Sequence, residues 1–329
     1  MKHLFNRIVV GTLFALSPAF AMAQTWIPSR AITFVVPVTP SSSNNLIACM
    51  LSEKLPAKLS QPVIVDNRPG VSSLVGAAST AYSAPDGYTI VIVPSDVYTA
   101  PILTPKTGSA NFDIISDFSP VLTAGNMPML IVASPSINIK TPQKLVAYPK
   151  KNGATSYGSP STDSPMNIAG KMLKRSTGMQ LDQVPYRGVL SAVNAVLADE
   201  LPIAIVTLVG AAPYIATGKL VPVRLVEKQH SESISIMPRM MASGSVSVET
   251  AVFFQILAPS ATPAAAIQRL NTDINAVLLT SEFRDKLRGM GVQIKGGTSG
   301  DAAKLARDTC AREQQVVKEL NITVECATS

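Results

Sequence analysis

The sequence has very little histidine, the side chain that most often serves as a general base. Of its 329 residues only His3 and His230 are histidine, and His230 lies in a polar run at residues 227–232 that is typical of an exposed loop. The G-x-S-x-G pentad of serine hydrolases does not occur, and neither do the glycine-rich fingerprints of dinucleotide and P-loop sites. We therefore predict that the protein is not an enzyme and holds no cofactor.

Cysteine is scarce as well. Cys49, Cys310 and Cys326 form no C-x-x-C pair and have no histidine near them in the sequence, so we expect neither a metal site nor a thioredoxin-type motif. In an oxidising compartment Cys310 and Cys326 could form a disulfide that holds the C-terminal tail. Whether they do depends on geometry that the sequence leaves open. Cys49 is interpreted as a small buried apolar residue.

Aromatic residues make up 5% of the chain and basic residues are scattered, which argues against nucleic acid as a partner. The apolar share of 47% and the charged share of 15% are those of a compact globular protein. Removing the two basic residues of the N-terminal segment described next lowers the formal net charge from +7 to +5. This weak positive charge favours anionic ligands, but it is equally the ordinary charge of a soluble protein.

The first 23 residues have the three parts of a secretory signal peptide. Lys2 and Arg7 give a positive start, an apolar run follows, and Ala21-Met22-Ala23 forms a small-x-small cleavage site. The apolar run is shorter than the roughly 20 residues that span a bilayer, which argues against a retained anchor. We predict cleavage before Gln24 and a mature protein that acts in the periplasm.

Short β-branched runs alternate with amphipathic helical patterns along the rest of the chain, which is typical of α/β units around mainly parallel sheets. The predicted strands are residues 32–36, 63–65, 89–93, 129–133, 203–206, 221–226 and 253–257. Ser164-Pro165 and Thr262-Pro263 each place a hydroxyl before a proline, which predicts a helix that begins at the proline with the hydroxyl as its cap.

Two serine-rich loops are the main candidates for a binding site. Open α/β sheets bind ligands beyond the carboxyl ends of their strands, where loops lead into helix N-termini. Unpaired N–H groups and the positive end of the helix dipole favour a carboxylate there. The candidate ligand-binding residues in these loops are Thr39, Ser41, Ser42, Ser43, Asn45, Ser161, Thr162, Asp163 and Ser164. Alternatively, these residues are only turn formers and helix caps.

Ser95 and Asp96 follow the predicted strand at residues 89–93 on the same side of the sheet. Contact with a ligand is therefore expected for both, although Asp96 could instead cap the segment that follows. Arg187 could meet a carboxylate through its two-pronged guanidinium, but we interpret it as a solvated loop residue, since exposed arginines greatly outnumber buried ones.

Several short motifs occur in the order and spacing of one known family. They are residues 28–37 (PSRAITFVVP), 61–70 (QPVIVDNRPG), 84–89 (APDGYT), 184–188 (VPYRG), 215–220 (IATGKL) and 257–263 (LAPSATP). On these motifs essentially the whole mature chain resembles the extracytoplasmic solute receptors of tripartite tricarboxylate transporters, often called Bug-type receptors.

The resemblance implies a two-lobed periplasmic binding protein fold of the Venus-flytrap kind, each lobe a mainly parallel sheet flanked by helices. We expect residues 24–125 and 249–329 to form the first lobe and residues 126–248 the second. The implied ligand is a small carboxylate held through backbone amides, hydroxyls and bridging waters, with Tyr186 near the cleft mouth. The expected partners of this monomer are membrane transporter subunits or, alternatively, a sensor protein that reads the closed form.

The chain departs from the family pattern at places that would face the ligand. Residues 41–45 (SSSNN) replace a glycine-rich loop and its acidic residue, and Asn167 stands where a histidine is common. Thr207, which we include among the candidate ligand-binding residues, follows a strand after which the family often has an aspartate. A cleft without acids accepts an anion and rejects an amino group, because a buried ammonium without a partner is costly. We therefore expect a carboxylate that lacks a free amine.

Overall fold

The computed structural model describes residues 25–40, 42–103, 112–162, 164–225, 252–289 and 291–319. Its strands are β1 Ile32–Val36, β2 Val63–Asn67, β3 Thr89–Pro94, β4 Phe118–Met127, β5 Met129–Ala133, β6 Thr155–Ser159, β7 Leu181–Pro185, β8 Ile203–Thr207, β9 Val221–Leu225, β10 Val252–Pro259 and β11 Gln293–Gly296. Its α-helices are α1 Ser43–Lys54, α2 Pro56–Leu59, α3 Leu74–Ala81, α4 Asp96–Leu103, α5 Pro142–Asn152, α6 Pro165–Thr177, α7 Val189–Leu197, α8 Leu208–Ala216, α9 Ala264–Leu278, α10 Ser281–Arg288 and α11 Ser299–Glu319.

The strands form two sheets, one in each lobe. The first has the order β11-β4-β10-β3-β1-β2 and the second the order β7-β6-β8-β5-β9. In each sheet three strands are parallel: β2, β1 and β3 in the first, and β7, β6 and β8 in the second. The next strand, β10 or β5, is antiparallel to both of its neighbours. Apart from β11, the two sheets therefore have the same strand order and the same directions.

Helices cover both faces of each sheet. In the first lobe Ile47 of α1 and Leu270 of α9 are buried on one face, and Leu74 of α3 and Ala306 of α11 on the other. In the second lobe α6 packs on one face and α7 on the other. Strands buried on both faces are apolar at almost every position, which is why β1, β3 and β8 are readable as strands in the sequence.

All seven predicted strands are present, although residue 226 lies outside the described residues. Four strands were not predicted: β4, β6, β7 and β11. The β6 sequence, TSYGS, is polar, and β7 contains Asp182 and Gln183, so neither has an apolar run. Strand β11 is only four residues long.

The two predicted helix caps have different outcomes. Ser164 caps α6, which begins at Pro165 as predicted. The prediction for Thr262 is wrong, because α9 begins at Ala264 with Pro263 as its N-cap. The amides of Ala266 and Ile267 donate to the carbonyl of Pro263, so the first helical bonds begin one residue later than predicted.

Several predictions fall wholly or partly outside the described residues. The signal peptide with its cleavage site before Gln24 lies there, and so does Cys326. Cys310 is half-buried, and burial raises the pKa of its thiol to about 11. Its pairing with Cys326 stays a prediction, because Cys326 is not among the described residues. In the described ranges, no helix is long and apolar enough to cross a membrane. Those ranges also contain no group of three or more His, Cys, Asp or Glu side chains placed to hold a metal ion.

Candidate ligand site at the facing carboxyl edges

The two sheets are joined at their carboxyl edges. Strand β4 runs parallel to β3 and ends at Met127, so its end lies at the edge where β1, β2 and β3 also end. Strand β5 begins at Met129, which pairs with Thr207 at the carboxyl end of β8. Only Pro128 separates the two strands, so the chain passes directly from one carboxyl edge to the other.

The second connection joins the same two edges. Strand β9 ends at Leu225 beside Leu130, and β10 begins at Val252 beside Met127. Both ends therefore lie at carboxyl edges, whatever path the intervening residues take. Each lobe thus directs the ends of its parallel strands, and the helices that follow them, toward the other lobe.

Two helices begin beside the Pro128 connection. The amide of Leu208, the first residue of α8, donates to the carbonyl of Pro128 (2.8 Å). At the start of α1, Ser43 Oγ lies 3.8 Å from Met127 Sδ. The N-terminal ends of one helix from each lobe therefore lie close to the point where the lobes meet.

The first serine-rich loop connects β1 to α1. Ser42 caps the helix, since its Oγ accepts from the amide of Asn45 (3.2 Å). The Asn45 side chain turns back and donates from Nδ2 to the carbonyl of Pro40 (2.7 Å). Asn67, the last residue of β2, donates to Asn45 Oδ1 (2.9 Å) and to the carbonyl of Val38 (3.1 Å). The loop is thus fixed by side-chain amides.

The second loop connects β6 to α6. Ser164 Oγ accepts from the amide of Asn167 (3.2 Å), and Asn167 Nδ2 donates to the carbonyl of Thr162 (2.5 Å). The hydroxyl of Tyr157 donates to Asn167 Oδ1 (2.7 Å). Burial raises the pKa of Tyr157, so this hydroxyl stays protonated as a donor. Gln183 on β7 donates to the carbonyl of Ser161 (2.8 Å).

The N-terminal ends of α1, α6 and α8 are electropositive, and that of α4 differs. The first turns of α1, α6 and α8 contain no acidic residue, and Asp96 is the acidic residue in the first turn of α4. Because the amide of Asn45 is used by the cap, the amides of Ser43 and Asn44 are those left without a partner inside α1. Such amides, together with the helix dipole, attract an anion.

The remaining candidate residues are spread over the same edges. Ser95 is buried in the turn that opens α4, and its backbone carbonyl accepts from the amide of Tyr98 (3.2 Å). Thr207 is buried at the N-cap of α8, but its side chain makes no capping hydrogen bond. The Tyr186 amide donates to the Ser159 carbonyl (2.8 Å).

Tyr186 is half-buried and Thr39 is exposed. Tyr186 packs against the α7 side of the second sheet. Burial, followed by the nearby Glu200 charge, raises the pKa of Tyr186. Ser41 and Asp163 lie outside the described residues.

Three residues that hold the loops were not among the candidates: Asn67, Asn167 and Gln183. One signal in the sequence would have found Asn167, because Ser42-x-x-Asn45 and Ser164-x-x-Asn167 share a spacing. Asn67 lies on β2, which pairs with β1, and Gln183 lies on β7, which pairs with β6. Each residue reaches its loop only through this parallel pairing. Arg68, at the same edge, is paired with Asp66 (2.7 Å).

Two α/β lobes of the same topology, joined twice at their carboxyl edges, define a two-lobed protein of the periplasmic binding protein class. The model of the "Tripartite tricarboxylate transporter family receptor" family matches residues 47–322, and the chain belongs to that family. It is 26% identical to Protein BugT of Bordetella pertussis, over 89% of this chain and 90% of that one.

Solved structures agree with this assignment. A structure described as a periplasmic transporter is 28% identical with a TM-score of 0.78, covering 91% of this chain and 99% of that one. A structure of R. palustris Rpa4515 with adipate is 26% identical with a TM-score of 0.78, covering 89% of this chain and 98% of that one. The resemblance and the two-lobed fold expected from the sequence are confirmed.

Proposed function

We propose that this protein is a periplasmic receptor that binds a small carboxylate in the cleft between its lobes and delivers it to the membrane subunits of a tripartite tricarboxylate transporter. The observation that carries the proposal is the pair of serine-rich loops at carboxyl edges that the chain joins through Pro128. Each loop leads into a helix of at least 12 residues whose first turn has no acid. The adipate in a relative that is 26% identical supports the ligand class.

The ligand is proposed to lack a free amine. A buried ammonium group needs an acidic or carbonyl partner, and its desolvation is costly without one. The first loop offers an ammonium group no carboxylate, because residues 41–45 are serines and asparagines. The proposed contacts are the serines and threonines of both loops, Ser95, Asp96, Asp163, Tyr186 and Thr207. Asn45 is proposed to act through the loop that it holds by its bonds to Pro40 and Asn67. We place the first lobe at residues 24–125 and 249–329 and the second at 126–248, in a monomer without catalytic activity.

A receptor of this kind can also report to a membrane sensor rather than to a transporter. Both uses depend on the same closure of the lobes around the ligand. Deleting the gene and measuring uptake of the labelled ligand separates them, because a transport receptor is required for uptake and a sensor is not.

A thermal-shift screen of the mature protein tests the ligand class. The panel contains adipate, malate, an aromatic acid, glutamate and a diamine. Ligand at 100 times its dissociation constant raises the free energy of unfolding by about 2.7 kcal/mol, which is easily measured. We expect stabilisation by the simple carboxylates. A preference for glutamate or the diamine would contradict the proposal, and silence across the panel would count against carboxylate binding.

A further inference from the structure

The two cleft loops are held by the same arrangement, although their sequences share little. In each loop a serine caps the helix and an asparagine three residues later donates its side-chain amide to the carbonyl five residues before it. We call this arrangement the Ser-x-x-Asn clasp. It consists of Ser42 and Asn45 in the first lobe and of Ser164 and Asn167 in the second.

The clasps occupy equivalent places in the two lobes. The β1-α1 loop lies between parallel strands β2 and β3, and the β6-α6 loop lies between parallel strands β7 and β8. The strand order alone does not require an asparagine, because the capping serine is enough to begin the helix. The additional bond to the loop carbonyl therefore needs another reason.

Each polar atom of both asparagine side chains has a hydrogen-bond partner within the protein. Asn45 Oδ1 accepts from Asn67 (2.9 Å) while its Nδ2 donates to Pro40. Asn167 is 1% exposed, and its Oδ1 accepts from Tyr157 (2.7 Å) while its Nδ2 donates to Thr162. A side chain whose donors and acceptors are occupied in this way fixes the backbone around it. Each polar atom of the two side chains thus already has a protein partner.

We propose that Asn45 and Asn167 are positioning residues that keep the two loops in the shape that binds the ligand. This inference rests on the proposed function, since it assigns the asparagines to the same cleft. A loop that is disordered in part of the molecules lowers the apparent affinity in proportion to the fraction that stays competent. Loss of a clasp is therefore expected to weaken binding more than it weakens the fold.

The test uses Asn45→Leu and Asn167→Leu, which keep the branching of the side chain and remove its hydrogen bonds. Adipate affinity is measured by titration calorimetry, and we expect it to fall about tenfold, as when one molecule in ten keeps the competent loop. The matched controls are Asn271→Leu and Asn275→Leu. These asparagines also donate to a loop carbonyl, that of Gly297 (2.9 Å each), but they do so at the end of β11 away from the carboxyl edge. They should lower the melting temperature without changing the affinity.

A second measurement does not depend on the ligand. Amide hydrogen exchange of the apo protein should accelerate in residues 38–45 for Asn45→Leu, with exchange elsewhere unchanged. Asn45 is half-buried, so this variant stays informative even if Asn167→Leu does not fold. Wild-type affinity together with wild-type loop exchange would overturn the inference. If the wild type binds no adipate, the ligand class is at fault, and exchange alone decides whether the clasp orders the loop.

Discussion

Glu313 shows how far one buried side chain can depart from its ordinary chemistry. It is 2% exposed on α11, and its Oε2 has no hydrogen-bond partner among the described residues. Burial raises its pKa to about 7, although the Arg312 charge, with Nε 3.9 Å from Oε1, lowers it. The neighbouring thiol of Cys310 also has a raised pKa, caused by burial and then by Asp113 and Glu313. The amino-acid composition does not reveal a buried glutamate of this kind.

Glu313→Gln is therefore expected to stabilise the protein at neutral pH. Because the folded pKa lies above the unfolded value of about 4.3, the folded state holds the proton more tightly, and stability is lost as pH rises from about 4.3 to 7. The loss is on the order of 3 kcal/mol. Glutamine imitates the protonated form, so the variant should lose this pH dependence. Urea unfolding at pH 5 and pH 8 measures it.

Glu282→Gln is the control, because Glu282 is exposed and pairs with Lys54 (3.1 Å) at the surface. Its effect should be within about 0.5 kcal/mol at both pH values, as for other surface pairs. A wild type and a Glu313→Gln variant with the same change in stability between pH 5 and pH 8 would contradict the prediction.

At the scale of elements, the two hydroxyl-proline pairs show why local sequence predicts some helix starts and not others. Ser164-Pro165 and Thr262-Pro263 are alike as dipeptides, but Ser164 Oγ accepts from the amide of Asn167, whereas Thr262 Oγ1 has no hydrogen-bond partner among the described residues. Strands differ in their composition. Strands with a continuous apolar run, such as β3 and β8, were predicted. Strands β6 and β7 contain polar residues and owe their place to pairing with each other.

Replacing the hydroxyls of Ser164 and Thr262 tests which of the two caps a helix. Ser164→Ala should lower the free energy of unfolding by about 1 kcal/mol, the usual cost of a lost N-cap. Thr262→Val should leave stability unchanged or raise it, because the Thr262 hydroxyl is buried without a partner among the described residues. Denaturant unfolding of both variants measures the difference. Equal losses would mean that Thr262 also caps α9 in solution.

At the scale of the whole molecule, the lobes repeat one topology that the sequence does not show as a repeat. In the strand orders β2-β1-β3-β10-β4 and β7-β6-β8-β5-β9, the fourth strand is the one that follows a strand of the other lobe in the chain. Strand β10 follows β9, and β5 follows β4. The family motifs in the sequence predicted two lobes. Local sequence patterns do not predict strand order, because strand order depends on pairings between distant residues. The Ser-x-x-Asn clasps recur because they occupy equivalent loops of this duplicated plan.

The lobes also touch through α11. Val316 and Val317 near the end of α11 pack against Ile168 of α6, and Arg175 pairs with Glu319 (2.9 Å). These contacts and the Pro128 connection both join the two lobes. Movement of one lobe against the other is therefore expected to be a hinge rotation that opens and closes the carboxyl edges.

Ligand binding should consequently make the protein more compact. With saturating adipate the radius of gyration measured by small-angle X-ray scattering should decrease, since the helix ends of both lobes converge on one carboxylate. Ser161→Trp is the control, because Ser161 lies in the second loop and a bulky side chain there should block the approach of the lobes while leaving the melting temperature unchanged. If adipate stabilises the wild type but its radius of gyration stays constant, binding does not require closure, and the ligand is held by one lobe alone.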